Sequence, residues 1–403
     1  MPDETAPDEI GPEEIGVITG DAVEVPRGFV TYAANAGIKD ESLDLSIVAS
    51  HTPCVAAGVF TQSRFAGPSV ALCRRHLEGG SAQAIVTVSK NANVATGTQG
   101  ERDAAELAGL GATVVGCQAT DVLVGSTGVI GRTYPMERIR RHFEGLQLPA
   151  AADFPAVARA IMTTDTVPKL ASTRAGVATV TGVAKGSGMI EPNMATMLAY
   201  VVTDAEVPRN EVGRVWRRVV DLTFNSLSID TDTSTSDTAL LLANGAAGPV
   251  GEVEFEAALR RVCGSLVLQL AADGEGATKV IEVTVGAARD AAQAKRVAKA
   301  VVNSPLLKCA VHGADPNWGR VIMAIGKCSD DTDIDQESVR VSFGDLEVYP
   351  RLLDDGDLEK LSGIMRSDMV HVDIALGAGE ATATVWGCDL SAEYVRINAD
   401  YTT

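Results

Sequence analysis

The chain has 403 residues, 46% hydrophobic and 22% charged, enough for a large α/β unit or two or three smaller domains; disordered, collagenous and fibrous classes are excluded. Lys and Arg number 34 against 53 Asp and Glu, a net charge of −19 that repels nucleic-acid phosphate and anionic lipid alike, so neither is an expected partner. No apolar run approaches the ~20 residues of a membrane span and the N-terminus opens Met-Pro-Asp-Glu, so a cytoplasmic location is expected.

Residues 1–14 are acidic and proline-bearing without a basic residue, and a flexible tail is expected over 1–22. From Val23 onward short β-branched runs alternate with helix-like stretches. Ser46 to Ala49, Ala84 to Val88 and Ala112 to Val115 read as strands, and Asp103 to Leu110 and Pro135 to Leu146 as surface helices. Phe255, Leu259, Val262, Cys263, Leu266 and Leu270 recur at helical spacing. Ile281, Val283 and Val285 then alternate with polar residues as a half-buried strand does. A helix over 291–302 follows, and the alternation in 339–343, 370–376 and 381–386 predicts a mixed sheet near the C-terminus. The class is α/β or α+β.

The seven cysteines are scattered singly, with no C-x-x-C pair, so buried thiols are expected rather than disulfides or a zinc site. The five histidines have no metal-ligand spacing, and no metal or bound cofactor is expected. His312 stands in a turn-rich stretch running from Val311 to Arg320 that reads as a structural corner or a functional loop. Gly109-Leu110-Gly111 reads as a turn, because a strand rather than a helix is expected after it. Asp230 to Thr238 is an acidic and hydroxyl-rich run. It lacks the glycine and distal Glu of a calcium loop, which favours a hydroxyl-lined turn over a cation site.

The segment from Lys185 to Tyr200 carries more chemistry. Two glycines and a Pro-Asn turn lead to Thr196, which opens an apolar strand. A Thr hydroxyl is a weak nucleophile unless a base adjoins it. Cleavage of the chain at Ala195-Thr196, by attack of that hydroxyl on the Ala195 carbonyl, would supply the threonine's own α-amine as the base. Gly125 to Gly131 offers backbone N–H groups and hydroxyls that could hold a developing oxyanion.

Taken with 160–165, 273–279, 315–320 and the terminal Asn398-Ala399-Asp400-Tyr401-Thr402-Thr403, these stretches make the chain resemble the ornithine acetyltransferase family, the glutamate N-acetyltransferases, over nearly its whole length. The resemblance implies self-cleavage into residues 23–195 (behind the tail) and 196–403, assembled as an α2β2 heterotetramer. The implied fold is an α/β sandwich of mixed sheets and helices, similar to but distinct from the N-terminal-nucleophile hydrolases. It implies Thr196 as the acyl-carrying nucleophile, Thr127 and Gly128 as the oxyanion hole, and Thr163, Lys185, Thr196, Glu275, Asn398 and Thr403 around the substrates. The implied reaction is ping-pong transfer of acetyl from N-acetylornithine to glutamate or a related amine, without a cofactor. Where many members carry a glycine this chain has Lys90, read as a solvated turn residue or an influence on substrate preference. With 65–70 and 230–237, this suggests the branch found in clavulanic acid gene clusters and a secondary-metabolite role. An autoprocessed N-terminal-Thr amidohydrolase or aminopeptidase is the alternative enzyme, and an acidic binding protein the non-enzymatic one.

Overall fold

The computed structural model describes residues 16–191 and 197–400; Ala195, Thr196, Thr403 and the tail up to residue 15 lie outside them. Two mixed sheets organise these residues. The first runs Ile18–Thr19, Lys169–Ala175, Ala178–Lys185, Leu198–Glu206, Thr238–Pro249, Leu45–Phe60, Ser81–Val88 and Val122–Ser126, with Phe29–Ala34 also paired to Leu45–Phe60. The strand Leu198–Glu206 lies parallel to Thr238–Pro249, and Ser81–Val88 parallel to Val122–Ser126; the other neighbours are antiparallel.

The interior strands of this sheet are buried on both faces, which is why they read as apolar runs. In Leu198–Glu206 the period of two sends Leu198, Tyr200 and Val202 into one core and Ala199 and Val201 into another. The first core is closed by helices Pro68–His76, Gly97–Val115, Met136–Phe143 and Phe154–Ile161, through Leu72, Leu107, Ile139 and Val157. Arg209–Leu222 and Glu252–Ala272 close the second, through Trp216, Phe255, Val262 and Leu266.

The second sheet runs Leu346–Tyr349, Arg340–Phe343, Met369–Ala375, Val280–Ala288, Ala381–Cys388 and Leu227–Ser228. Its third core lies against helices Ala291–Val302, Pro305–Gly313, Gly319–Gly326 and Asp355–Ile364. Helix Ala291–Val302 begins where the sequence places it, because Asp290 accepts from the Gln293 amide at 2.7 Å and caps it. Helix Ala392–Asp400 closes the described chain.

Three expectations are corrected. Ala112 to Val115 is not a strand, and Gly109-Leu110-Gly111 is not a turn. Both belong to helix Gly97–Val115, whose residues Ala104, Leu107, Ala108, Gly111 and Ala112 are buried at helical spacing, and which ends at Gly116 with φ +79°. Helical burial outweighs the β preference of Thr113, Val114 and Val115. Gly111 is there for close approach, since a Cβ on it would lie 2.5 Å from Val86 Cγ2. The expected tail boundary at 22 is also too late. Ile18–Thr19 adds to the edge of the first sheet and Gly20–Ala22 forms a 3₁₀ turn, with Val17 packed against the second core. The turn-rich stretch 311–320 begins inside a helix, and His312 Nδ1 donates to Asp389 at 2.7 Å. Asp389 also accepts from the Thr278 and Lys279 amides, so the corner reading holds. Cys54, Cys73, Cys263 and Cys388 are buried; Cys117 and Cys328 are half-buried and Cys309 is exposed.

Gly111→Ala is expected to destabilise by about 1–3 kcal/mol through overpacking. Gly109→Ala, with nothing within 4 Å of its new carbon, should stabilise by up to about 1 kcal/mol. Urea midpoints of the two variants read the contrast, and shifts of the same sign would contradict the close helix–sheet contact.

Candidate active site

Five strand spacings separate Ala178–Lys185 from Val122–Ser126 in the first sheet, about 24 Å if the sheet were flat. Yet Lys185 Nζ, at the end of one strand, donates to Thr127 Oγ1, just past the end of the other, at 3.2 Å. The sheet therefore curls until its distant strand ends meet. Tyr200, fully buried, spans the inside of the curl and accepts from Thr87 Oγ1 at 3.0 Å.

The cleft at these strand ends is lined by Thr127, Gly128, Thr163, Lys185, Glu275 and Asn398, together with Lys39, Lys90, Met197 and residues 234–237. It thus brings together every site residue expected from the sequence that lies among the described residues. Thr196 and Thr403 lie outside them. Met197 lines the cleft, its carbonyl accepts from Thr238 N at 2.9 Å, and the next residue, Leu198, pairs directly with Lys185.

Behind the cleft lies a buried charge cluster that the sequence reading left without a role. Lys169, fully buried, donates to Asp165 Oδ1 at 2.7 Å and to Asp273 Oδ2 at 2.5 Å. Asp165 also accepts from the Thr163 amide at 3.0 Å and the Gly186 amide at 2.6 Å. Asp273 accepts from the Thr166 amide and hydroxyl. One ammonium and two carboxylates thus fix the backbone beside Thr163, Lys185 and Glu275. Burial alone would raise the Asp165 pKa, but Lys185 and Lys169 outweigh it and hold the carboxyl down at about 2. Burial lowers the Lys185 pKa, with Lys169 acting in the same direction, while Asp165, Glu275 and Asp237 favour its charged form. Glu275 is buried, receives the Asn398 amide at 2.7 Å, and is tied by its own N–H to the Ser187 carbonyl at 2.8 Å.

Of the backbone N–H groups and hydroxyls expected in the oxyanion turn, Thr127 has only its hydroxyl to offer. The Thr127 N–H is engaged by the Val88 carbonyl at 3.2 Å, which leaves its hydroxyl as the group able to serve. That hydroxyl accepts from Lys185 and keeps its one hydrogen for another acceptor, polarised by the ammonium. Gly128 has φ +125°, and a Cβ on it would fall inside the Lys90–Asn91 backbone, so the turn admits only glycine. The run 230–238 proves to be a wall of the cleft. Asp230 accepts from the Met189 and Ile190 amides at 2.6 and 2.8 Å, and residues 234–237 face the cavity. No cluster of His, Cys, Asp or Glu able to hold a metal ion occurs among the described residues, and no helix among them is long and apolar enough to cross a membrane. The solvated-turn reading of Lys90 is corrected: its side chain is only 9% exposed, and its ammonium pairs with the half-exposed Asp40.

Lys169 and Lys39 carried no local signal, since the partners of Lys169 include a residue 104 positions away. Asp165 and Asp273 stand inside the motif segments that carried the family resemblance, which is the one signal that could have marked them.

The ArgJ family model matches residues 30–403. The chain is 55% identical over 383 residues to an arginine biosynthesis bifunctional protein ArgJ 2 from Nostoc sp., covering 95% of this chain and 99% of that one. It is 53% identical over 387 residues to glutamate N-acetyltransferase Oat2 from Streptomyces clavuligerus, covering 94% and 98%. Among solved structures, ornithine acetyltransferase from Mycobacterium tuberculosis, complexed with ornithine, is 32% identical and aligns with 44% of this chain and all of its own at a TM-score of 0.40.

Lys169→Met leaves two buried carboxylates without their shared cation and is expected to cost about 3–5 kcal/mol, read as a fall in the denaturant midpoint at pH 7. Because the Asp165 pKa lies below its unfolded value, its contribution to stability is present above about pH 4 and is lost as pH falls toward 2. Asp165→Asn should flatten that acid limb in thermal melts taken from pH 5 to 2; an unchanged limb would remove Asp165 from the account.

Proposed function

The chain belongs to the ArgJ family of acyltransferases, and from that premise we propose that it moves acetyl from N-acetylornithine to glutamate through an ester on Thr196, after cutting itself between Ala195 and Thr196. The observation that carries this reading is the Lys185–Thr127 contact beside the strand that begins at Leu198. A hydrogen-bond donor and an ammonium stand next to the chain segment that follows the proposed nucleophile.

In the first half-reaction the Thr196 hydroxyl attacks the acetyl carbonyl and its proton passes to the Thr196 α-amine. The oxyanion of the tetrahedral intermediate accepts hydrogen bonds from the Thr127 hydroxyl and the Gly128 N–H. Collapse breaks the C–N bond, the α-amine returns the proton to the leaving nitrogen, and ornithine departs. In the second half the neutral amine of glutamate attacks the ester and gives its proton to the same α-amine. Collapse then breaks the C–O bond and regenerates the threonine hydroxyl with that proton. Lys185 pairs with a substrate carboxylate, and Glu275, held by Asn398, receives a substrate ammonium or orients the attacking amine. Thr163 and Thr403 complete the substrate site.

Neither half-reaction calls for a metal or cofactor. The cut pieces form an α2β2 heterotetramer in this reading, which also places the chain in the cytoplasm. Glutamate is the acceptor the relatives' names support. Arginine biosynthesis is the pathway in the ArgJ relatives' names, and the secondary-metabolite role expected from Lys90 and the segments 65–70 and 230–237 is part of the same proposal.

Incubation with N-acetylornithine alone should leave an acetyl ester on the peptide beginning at Thr196, discharged by glutamate. Acyl release at a rate indifferent to glutamate would replace the transferase with the amidohydrolase. Thr127→Ala is expected to lower kcat about 10²–10³-fold with little change in KM. A chain lacking Asn398 to Thr403 should lose transfer, and full activity in it would remove those residues from the site.

A further inference from the structure

Lys90 has φ +68°, a left-handed conformation that lysine rarely adopts. Its peptide is packed against Gly128 of the oxyanion turn, and Asn91 bridges to Thr127 and Val129. From this strained position the side chain runs under the loop 35–44 and donates to Asp40 Oδ1 at 3.0 Å and the Leu43 carbonyl at 3.5 Å. The loop is built stiffly. Asp44, fully buried, accepts from the Ala36 and Ile38 amides at 2.6 and 2.7 Å, and Asn35 Nδ2 donates to the Asp40 carbonyl at 2.6 Å. The Ser42 amide and hydroxyl both donate to Asp40, which with Lys90 keeps that carboxyl ionised, its pKa down at about 2. Lys39, the residue before Asp40, lines the cleft. In a chain of net charge −19, the cleft thus holds Lys185, bonded to Thr127, and also Lys39, which adjoins the Lys90–Asp40 pair. A ligand with an amine between two carboxylates matches those two cleft lysines.

We propose that the Lys90–Asp40 ion pair is a clamp that presents Lys39 to the cleft as the subsite for the side-chain carboxylate of the acyl acceptor, so that this chain selects acidic over neutral amino acids. Lys39 is the specificity-determining residue, and Lys90 and Asp40 are positioning residues that act through it. This rests on the transferase reading above.

The test compares kcat/KM for glutamate and for its neutral isostere glutamine, with N-acetylornithine as donor, in the wild type and in Lys39→Met, Lys90→Gly and Asp40→Asn. Lys90→Gly is the informative variant, because glycine accepts φ +68° without strain and removes only the side chain. The glutamate-to-glutamine ratio should fall at least tenfold in Lys39→Met and severalfold in Lys90→Gly and Asp40→Asn. Combining Lys90→Gly with Asp40→Asn should add nothing to either alone. A ratio unchanged in Lys39→Met or in Lys90→Gly overturns the proposal. Calorimetric binding of glutamate and glutamine to the same proteins separates the two readings. A wild type that transfers acetyl to neither acceptor defeats the transferase reading. The subsite then survives only if glutamate still binds more tightly than glutamine and Lys39→Met abolishes the difference.

Discussion

One buried ammonium carries the architecture of the cleft. Lys169 lies where water cannot reach it, and its charge is tolerated only because Asp165 and Asp273 meet it from two separate loops. The same carboxylates take the amides of Thr163, Thr166 and Gly186, so the ion cluster is also a backbone clasp. Thr163, Lys185 and Glu275 each lie within about two residues of a clasped position. Replacing the cluster by apolar residues would preserve burial and lose the register of three loops, which supports a role in specifying the site over one in bulk stability.

The curl of the first sheet supplies the other half of the geometry. A flat sheet would hold Thr127 and Lys185 far apart, and no side chain is long enough to close the gap. Curling brings together the ends of strands that are remote in the sheet order, so that a turn requiring glycine at 128, an ammonium at 185 and the start of Leu198–Glu206 share one cleft. Helix Ala392–Asp400 adds Asn398 from the far end of the chain and fixes the Glu275 carboxylate. Charge is arranged on the same plan: anionic over the whole chain, with lysines concentrated at the cleft. That arrangement suits small zwitterionic acids rather than polyanions.

Elements with one buried face were legible in the sequence. Helices Glu252–Ala272 and Ala291–Val302 and strand Val280–Ala288 alternate apolar and polar residues at their proper periods and were located to within a few residues. Helix Gly97–Val115 was legible only in part, because β-branched residues fill its last turn and Gly111 serves packing against Val86 instead of a turn. The site residues Thr127, Gly128, Thr163, Lys185, Glu275 and Asn398 were legible through motif resemblance, and the cleft holds them together. What stayed hidden depends on long-range meetings: Lys169 with Asp273, Lys90 with Asp40, and the hydroxyl wall of 234–237 with the oxyanion turn. No local period or spacing encodes such pairs.

In the proposed mechanism the catalytic base is an amine created by cutting the chain before Thr196. Intact masses of the purified protein under denaturing conditions, taken beside Thr196→Ala, address it most directly. Two fragments of nearly equal length are expected from the wild type, the second beginning at Thr196, and one uncut chain from the variant. A single uncut wild-type chain that still transfers acetyl would contradict it, because the threonine would then have no free amine to act as its base.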